Sequence, residues 1–423
     1  MITQIYQWKC TLLSTSPLRI GDDEEDVILD QFERPFIPGT SIAGACRAFV
    51  QTILSEEEVN ELFGTQNNRA KDTVLIFSDG KSYDKHMSEV RTGIRIDGAT
   101  NTTKSGALFQ RQMLAPGATF DMTITLKTTT EQHEHYANIV EKMLQAIDSG
   151  VIRFGAFKST GSGKLTIKSC KVVHYDCTKE DDLLAYVERS KPYVNVSFQD
   201  DVEDDRLVQI NLRGKTETPL FIGGQYPNNS NEPDETYMTT VDGKPLIPGS
   251  TLKGVLRHRV QRIANVLDLK EKEKYIAYLF GSDEAKSELG TGFLRLEDVI
   301  LTEEKRKIYY RIAINPFTGG TKDGALLEEE TVLGSFETTL HFQRKAKDTN
   351  VSLALLLFAL RDLAMQKVTI GSGAAIGRGF FAIEQITLKE GEKEVVFHID
   401  TKRVSGDDGW LQQLQQSLES AQQ

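Results

Sequence analysis

The stretch RPFIPGTSIAGACR at residues 34–47 recurs later in the chain as KPLIPGSTLKGVLR at residues 244–257. In both copies a Pro-Gly-Thr or Pro-Gly-Ser turn precedes apolar residues spaced as on one face of a helix. Thr and Ser are residue types that cap helices, so we predict that each turn caps the start of an α-helix. A helix signal that recurs together with its flanking turn indicates an internal repeat.

The repeat extends over most of the chain, because further segments return in the same order. These pairs are SPLRIG at 16–21 with TPLFIG at 218–223, IDGATNTTKSGAL at 96–108 with INPFTGGTKDGAL at 314–326, and GAFKSTGSG at 155–163 with GSGAAIGRG at 371–379. Chance is a poor explanation for so many matches in one order. We therefore predict domain 1 at residues 1–191, an acidic linker at 192–205 and domain 2 at 206–423.

Hydrophobic periodicity predicts the same elements in both repeats. The predicted strands lie at 5–13, 74–77, 120–126 and 164–173 in the first repeat, and at 207–215, 293–296, 336–342 and 380–388 in the second. Second helices are predicted at 134–147 and 352–365, and the glutamine-rich tail after Gly409 is interpreted as a frayed helix. The order βαββαβ, found twice, predicts an α+β protein of two tandem ferredoxin-like or RRM-type domains.

Composition excludes several classes of protein. The net charge is -11, from 50 Lys and Arg against 61 Asp and Glu, so the chain does not coat nucleic acid by bulk charge, and any site for a polyanion must be local. The four cysteines form no CxxC pair, which argues against structural zinc. Neither a signal peptide nor a run of about 18 apolar residues is found, so we predict a cytoplasmic protein with no membrane segment.

Two recurring motifs are candidate phosphate sites. Ser41 and Ser250 lie at the predicted helix starts, where backbone N–H groups attract anions, and Arg47, Lys253 and Arg257 follow on the same helices. The alternative is a capped helix with a solvated basic face. Asp79 and Asp298 end matching strands, for which capping of a turn is a sufficient explanation.

The glycine-rich loops carry two further basic candidates, Lys158 and Arg378. Repeated glycines permit positive φ and close approach of another backbone, and the basic side chains could then meet phosphates. The alternative is a helix-to-strand turn that needs glycine for geometry alone.

A long excursion separates two sheet strands in each repeat, at residues 91–120 and 311–336. About 30 residues is too long for an economical connection, and such excursions are usually functional or docking elements. Lys104 and Lys322 occupy the same place in the repeated TK(S/D)GAL core, which suits a thumb-like arm that touches a polyanion or the next subunit. The alternative is a hairpin packed on its own domain.

Acidic residues precede the first helix of both repeats, including Glu24 and Asp26 in the first and Asp234 in the second. Loop carboxylates beside phosphate-binding elements can hold Mg²⁺ or position an attacking hydroxyl. The alternative is an ordinary solvated loop. Motifs of the GxxxxGK(S/T), GxSxG and HExxH types are not found, so nucleotide hydrolysis, serine hydrolysis and zinc proteolysis lose their usual support.

Taken together, the paired motifs resemble the RAMP superfamily of CRISPR proteins, and most of all the backbone subunits of type III effector complexes. Because the resemblance covers nearly the whole chain twice, the protein is similar to a tandem fusion of two such subunits, as in subtype III-D. The resemblance implies RRM-like domains that stack along a CRISPR RNA, with arms that cross the duplex of guide and target RNA. It also implies other subunits of the complex as partners.

The resemblance further implies Mg²⁺- or Mn²⁺-dependent cleavage of the target RNA. In the family the responsible aspartate lies roughly eleven or twelve residues before the proline that precedes the IPG segment. Counting back eleven residues from Pro245 reaches Asp234. Counting back from Pro35 reaches Glu24, with Asp26 two residues later, so the first repeat departs from the usual residue. Asp234 and Asp26 are thereby the implied metal ligands, and cleavage is expected chiefly in domain 2.

Two alternatives remain at this stage. The chain could be a non-catalytic scaffold that holds guide RNA while other subunits cut. It could also be an endoribonuclease that processes CRISPR precursors, a class that shares the fold but usually has a His or a Tyr/Lys/Arg active centre. No histidine is repeated between the two copies to supply one.

Overall fold

A computed structural model of the chain describes residues 2–21, 27–65, 73–97, 102–198, 207–224, 233–282, 290, 292–344 and 349–422. These residues form two compact units. The first comprises Met1–Val90, Gln112–Lys158 and Ser162–Val202, and the second comprises Arg91–Arg111, Ser159–Gly161 and Glu203–Gln423. The acidic stretch at 199–205 lies outside the described residues.

The first repeat builds an antiparallel sheet with helices packed against it. Its elements are β1 (Gln4–Ser14), β2 (Phe36–Ile37), α1 (Gly39–Val50), α2 (Glu56–Phe63), β3 (Leu75–Phe77), β4 (Gly80–Lys81), β5 (Ser88–Ile96), β6 (Thr103–Leu114), β7 (Thr119–Thr128), α3 (His133–Asp148), β8 (Leu165–Asp176), α4 (Glu180–Glu188) and β9 (Val194–Asn195). β1 lies between β7 and β8, and β3 pairs with the outer side of β7. The sheet order β3-β7-β1-β8 is that of a ferredoxin-like domain.

The second repeat has the same topology. Its elements are β10 (Leu207–Thr216), β11 (Leu246–Ile247), α5 (Gly249–Val266), α6 (Lys272–Phe280), β12 (Leu294–Arg295), β13 (Val299–Ile300), β14 (Thr302–Ile314), β15 (Thr321–Gln343), α7 (Thr349–Ala364), β16 (Phe381–Glu390), β17 (Lys393–His398), β18 (Arg403–Gly406) and α8 (Asp408–Gln422). The order β12-β15-β10-β16 reproduces that of the first sheet. The predicted α+β fold of two tandem ferredoxin-like domains is confirmed.

Burial follows the periodicities of the sequence. On β1, Trp8, Cys10 and Leu12 alternate with less buried residues and face the core, as half-buried strands require. On α1 the buried residues Ile42, Cys46 and Val50 are spaced by four, which places them on one helix face. The second repeat buries Leu252, Leu256, Val260 and Ala264 of α5 in the same way.

The C-terminal tail differs from its prediction. It is not a frayed helix but the ordered helix α8, whose Trp410, Leu414 and Leu418 are buried in the core of the second unit. These three residues recur every four positions, so a narrow apolar stripe anchors a helix whose composition is otherwise polar.

Each long excursion is a β-hairpin, formed by β5 with β6 and by β14 with β15. In the second hairpin β14 is exposed along nearly its whole length. Phe317 at the tip is 96% exposed. This part of the second unit is therefore an exposed arm, as the thumb-like interpretation predicts.

Candidate functional site

The loop that carries Asp234 is held against strand β15 by backbone hydrogen bonds. Glu235 N donates to Glu328 O over 3.0 Å, and Glu330 N donates to Glu235 O over 2.9 Å. These two bonds form a short parallel bridge opposite Glu329. The acidic loop is thereby placed on the strand that continues into the exposed arm.

The carboxylate of Asp234 is itself oriented by this strand. Its Oδ2 accepts a hydrogen bond from Glu328 N over 3.0 Å, while the residue stays exposed. A backbone N–H that binds one carboxylate oxygen restricts the rotamer of the side chain. Asp234 therefore presents a fixed anionic group to solvent beside the arm.

Glu235 lies next to Asp234 in the chain, and its surroundings shift the pKa of its carboxyl group. Partial desolvation of this exposed residue, together with the negative charge of Glu329 and a hydrogen bond to it, raises the pKa of the Glu235 carboxyl above its ordinary value. Because a metal ligand must be deprotonated, this shift disfavours Glu235 as a metal ligand.

The residues present fit a divalent cation only in part. Within the ranges that the structure describes, no three His, Cys, Asp or Glu side chains come together closely enough to hold a metal ion. Mg²⁺ commonly takes one or two protein carboxylates and completes its shell with waters and substrate phosphates. Asp234 fits such an ion when RNA phosphates supply further ligands.

Both predicted helix starts are capped, but by residues other than the predicted ones. The N-cap residues are Pro38 and Pro248, and neither Thr40 nor Ser250 contributes a side-chain cap. Instead the carboxylates that follow the next strand reach back to the first N–H of each helix. Asp79 Oδ1 accepts from Gly39 N over 2.8 Å, and Asp298 Oδ1 accepts from Gly249 N over 2.9 Å.

This capping bears on the predicted phosphate sites. An aspartate at a helix N-terminus already supplies the negative charge that the helix dipole attracts. Ser41, which is half-buried, and Ser250, which is exposed, therefore lie at helix starts whose first N–H is engaged.

The glycine-rich loops pack closely against the SPLRIG and TPLFIG segments. Ala156 N donates to Arg19 O over 2.9 Å, and in the second repeat Ser372 N donates to Phe221 O over 2.8 Å. A Cβ at Gly371 would come within 2.3 Å of Phe221 O, so that position requires glycine. Each pair of motifs forms one backbone unit, which explains why both recur together.

The predicted RNA-binding basic residues fall into two groups. Arg47 is engaged inside the protein, where it donates to Asn60 Oδ1 over 2.9 Å and to Gly64 O over 3.2 Å. Arg378 is buried and donates to Glu329 Oε2 over 2.6 Å. By contrast, Lys158 and Lys322 are exposed.

Lys253 and Arg257 share one face of α5, as their spacing predicts. Lys253 Nζ donates to Ser159 Oγ over 2.8 Å within the second unit. Burial and the positive charge of Arg257 lower the pKa of Lys253 to about 8. Arg257 is half-buried.

Three predicted site residues have no described side chain. Glu24 and Asp26 lie outside the described residues, and of Lys104 only the backbone in β6 is described.

Reasoning from the sequence missed Glu329, which joins the glycine-rich loop to the arm through Arg378 and Arg311. The available signal was an acidic run, Glu328 to Glu330, inside the long excursion predicted at 311–336.

Comparison with known proteins supports the internal repeat and relates both of its copies to one protein family. The sequence model of the RAMP superfamily matches the chain twice, at residues 11–166 and 213–382. No curated protein matches it. Among the described residues, no helix is both long and apolar enough to cross a membrane. The two matches cover the core of each ferredoxin-like domain, and the chain therefore belongs to the RAMP superfamily of CRISPR-associated RNA-binding proteins.

Proposed function

We propose that the chain is a backbone subunit of a type III CRISPR ribonucleoprotein, similar to the tandem fusions of subtype III-D, that binds guide RNA and cuts complementary target RNA. The observation that carries the proposal is the placement of Asp234. Its exposed carboxylate is fixed by Glu328 N on the strand that forms the arm. An anionic group beside an arm suited to crossing an RNA duplex is well placed to act on that duplex.

The chemistry assigned to Asp234 concerns the ribose 2′-hydroxyl next to the scissile phosphate. A carboxylate within hydrogen-bond reach of this hydroxyl can orient it or accept its proton. The hydrogen bond from Glu328 N to one carboxylate oxygen limits side-chain rotation, so the acceptor is preorganised. A Mg²⁺ or Mn²⁺ ion held by Asp234 and RNA phosphates would offset the charge that develops on the phosphate.

RNA contacts are assigned to basic residues with exposed or partly exposed side chains. Lys322 lies on the arm and Lys158 in the first glycine-rich loop, and both are exposed. Arg257 is half-buried on α5, a helix that follows the IPG motif. Such side chains neutralise phosphates without reading sequence. We further assign the chain to the cytoplasm, with other effector subunits as partners.

The experiment is cleavage of a guide-complementary RNA by the reconstituted complex, with Mg²⁺, Mn²⁺ or EDTA present. Asp234→Asn keeps an oxygen that can accept from Glu328 N but removes the charge, so it separates chemistry from loop structure. Asp242→Ala changes an exposed acidic residue of the same loop and is the matched control. A double variant, Glu24→Ala with Asp26→Ala, tests the first repeat.

We expect Asp234→Asn to abolish one cut while guide and target RNA stay bound, and Asp242→Ala to leave every cut in place. If the wild-type complex binds target RNA and all cuts persist in the Asp234 and Glu24/Asp26 variants, the chain is a scaffold and cleavage belongs to other subunits. Cleavage of precursor RNA in EDTA would instead indicate a processing endoribonuclease.

A further inference from the structure

An ion cluster centred on the buried carboxylate of Glu329 lies next to the loop of Asp234. Glu329 accepts from Arg378 Nη1 through Oε2, over 2.6 Å, and from Arg311 Nη2 through Oε1. The Glu329 and Arg378 side chains are only 3% and 8% exposed, whereas the Arg311 side chain is 42% exposed. Arg378 also lies over the ring of Tyr309, 5.1 Å from its centroid. A carboxylate this buried is stable only while its charge is paired, so Glu329 and its arginine partners form one coupled unit.

This cluster joins three elements of the second unit. Glu329 is on β15, Arg311 and Tyr309 are on the opposite arm strand β14, and Arg378 is in the glycine-rich loop. Tyr309 pairs in register with Glu329 across the arm. The base of the arm and the glycine-rich loop are therefore fixed relative to each other through one carboxylate.

Glu329 also lies between the two residues that hold the acidic loop. Glu328 binds Asp234 Oδ2 and Glu235 N through its backbone, and Glu330 N binds Glu235 O. Successive residues of a strand point to opposite sides, so Glu329 points away from the side chains of its two neighbours. A displacement of β15 at Glu329 would move both attachment points of the Asp234 loop.

The first repeat does not carry the cluster. The alignment that places Leu108 on Leu326 also places Arg111 on Glu329. The alignment of the glycine-rich loops places Ser162 on Arg378. Glu329 and Arg378 are thus both replaced in the repeat that also departs from the usual aspartate.

We propose that Glu329 is a positioning residue for Asp234: clamped between Arg378 and Arg311, it fixes β15 at the point where this strand holds the acidic loop. The inference rests on the proposed function, because it assigns a purpose to the cluster only if Asp234 acts on target RNA. By this inference the glycine-rich loop of the second repeat also contributes to cleavage. Its Arg378 acts by pairing with Glu329 in the interior and not by binding a phosphate.

The test is single-turnover cleavage by the reconstituted complex with Glu329→Gln, across a range of target RNA concentrations. Loss of the negative charge leaves the buried Arg378 without its ionic partner, which should shift β15 locally at residue 329. We expect the rate at saturating RNA to fall about 10- to 100-fold at the cut that requires Asp234, because small misplacements of a reacting group have effects of this size. The dissociation constant for target RNA should stay unchanged.

Glu337→Gln is the matched control, because it makes the same change on the same strand at an exposed residue. Its rate should equal that of the wild type. Arg378→Lys keeps the positive charge and should therefore retain more cleavage activity than Arg378→Ala. If the cluster had no positioning role, the two variants would cleave at the same rate. If Glu329→Gln fails to enter the complex, the ratio of the rates of the two Arg378 variants decides the matter instead.

An unchanged rate for Glu329→Gln, or equal rates for the two Arg378 variants when that comparison decides, would overturn the inference. So would a defect confined to RNA affinity. If Asp234→Asn stops the cut while Glu329→Gln does not, only this inference fails. If the wild-type complex makes no cut, the proposed function fails and this inference fails with it.

Discussion

Replacing Asp79 by alanine should destabilise the first unit by removing the cap of α1. Asp79 Oδ1 accepts from Gly39 N over 2.8 Å, and Pro38 at the N-cap position offers no side-chain acceptor. Loss of a helix cap costs about 1 kcal/mol, within a range of about 0.5 to 2 kcal/mol. Asp79→Asn retains an oxygen acceptor and loses only the interaction between charge and helix dipole, about 0.3 to 1 kcal/mol for a surface site.

The two tryptophans of the chain allow this measurement in one unit at a time. Trp8 is buried in the first unit and Trp410 in the second. With Trp410→Phe as the reference background, fluorescence during urea unfolding reports on the surroundings of Trp8. For a slope of about 2 kcal/mol/M, a loss of about 1 kcal/mol lowers the midpoint by about 0.5 M.

The ordering of the variants is the decisive result. The midpoint should fall from the reference to Asp79→Asn and further to Asp79→Ala, with the slope unchanged. Equal midpoints for the reference and Asp79→Ala would refute the assignment of Asp79 as the cap. A larger loss for Asn than for Ala would refute the argument that the acceptor oxygen matters more than the charge.

Two further predictions concern the second unit and use Trp410 fluorescence in a Trp8→Phe background. Asp362 is 3% exposed and pairs with Arg259 over 2.5 Å. Asp362→Asn should lower the free energy of unfolding by about 3 kcal/mol, because a buried pair that loses one partner leaves an uncompensated charge. A loss below about 1 kcal/mol would contradict this pairing. Folding lowers the pKa of Lys253 from 10.5 to about 8, so between these values the unfolded state binds more protons and the contribution of this group to stability rises with pH. The free energies of unfolding at pH 8 and pH 10 are measured for Lys253→Met and for the protein that keeps Lys253, and the variant should lack that rise. An identical pH slope in both proteins would show that Lys253 is not the group responsible.

The local elements were predictable because their signals are local. Spacing by four on α1 and alternation on β1 both follow from burying one face, so periodicity located these elements to within a few residues. The prediction for the C-terminal tail was wrong because its apolar residues are few among glutamines. Only packing against the core shows that Trp410, Leu414 and Leu418 suffice to order α8.

The sequence by itself determined that this protein is a duplication, that each copy is a ferredoxin-like domain, and that Asp234 occupies the loop before the IPG helix. These conclusions need only order, spacing and periodicity along the chain. The tertiary structure alone decided that Asp298, not Ser250, caps α5 and that Arg378 is paired with Glu329. Such partners lie 49 residues apart in both cases, and no local pattern specifies which distant charge a buried side chain will meet.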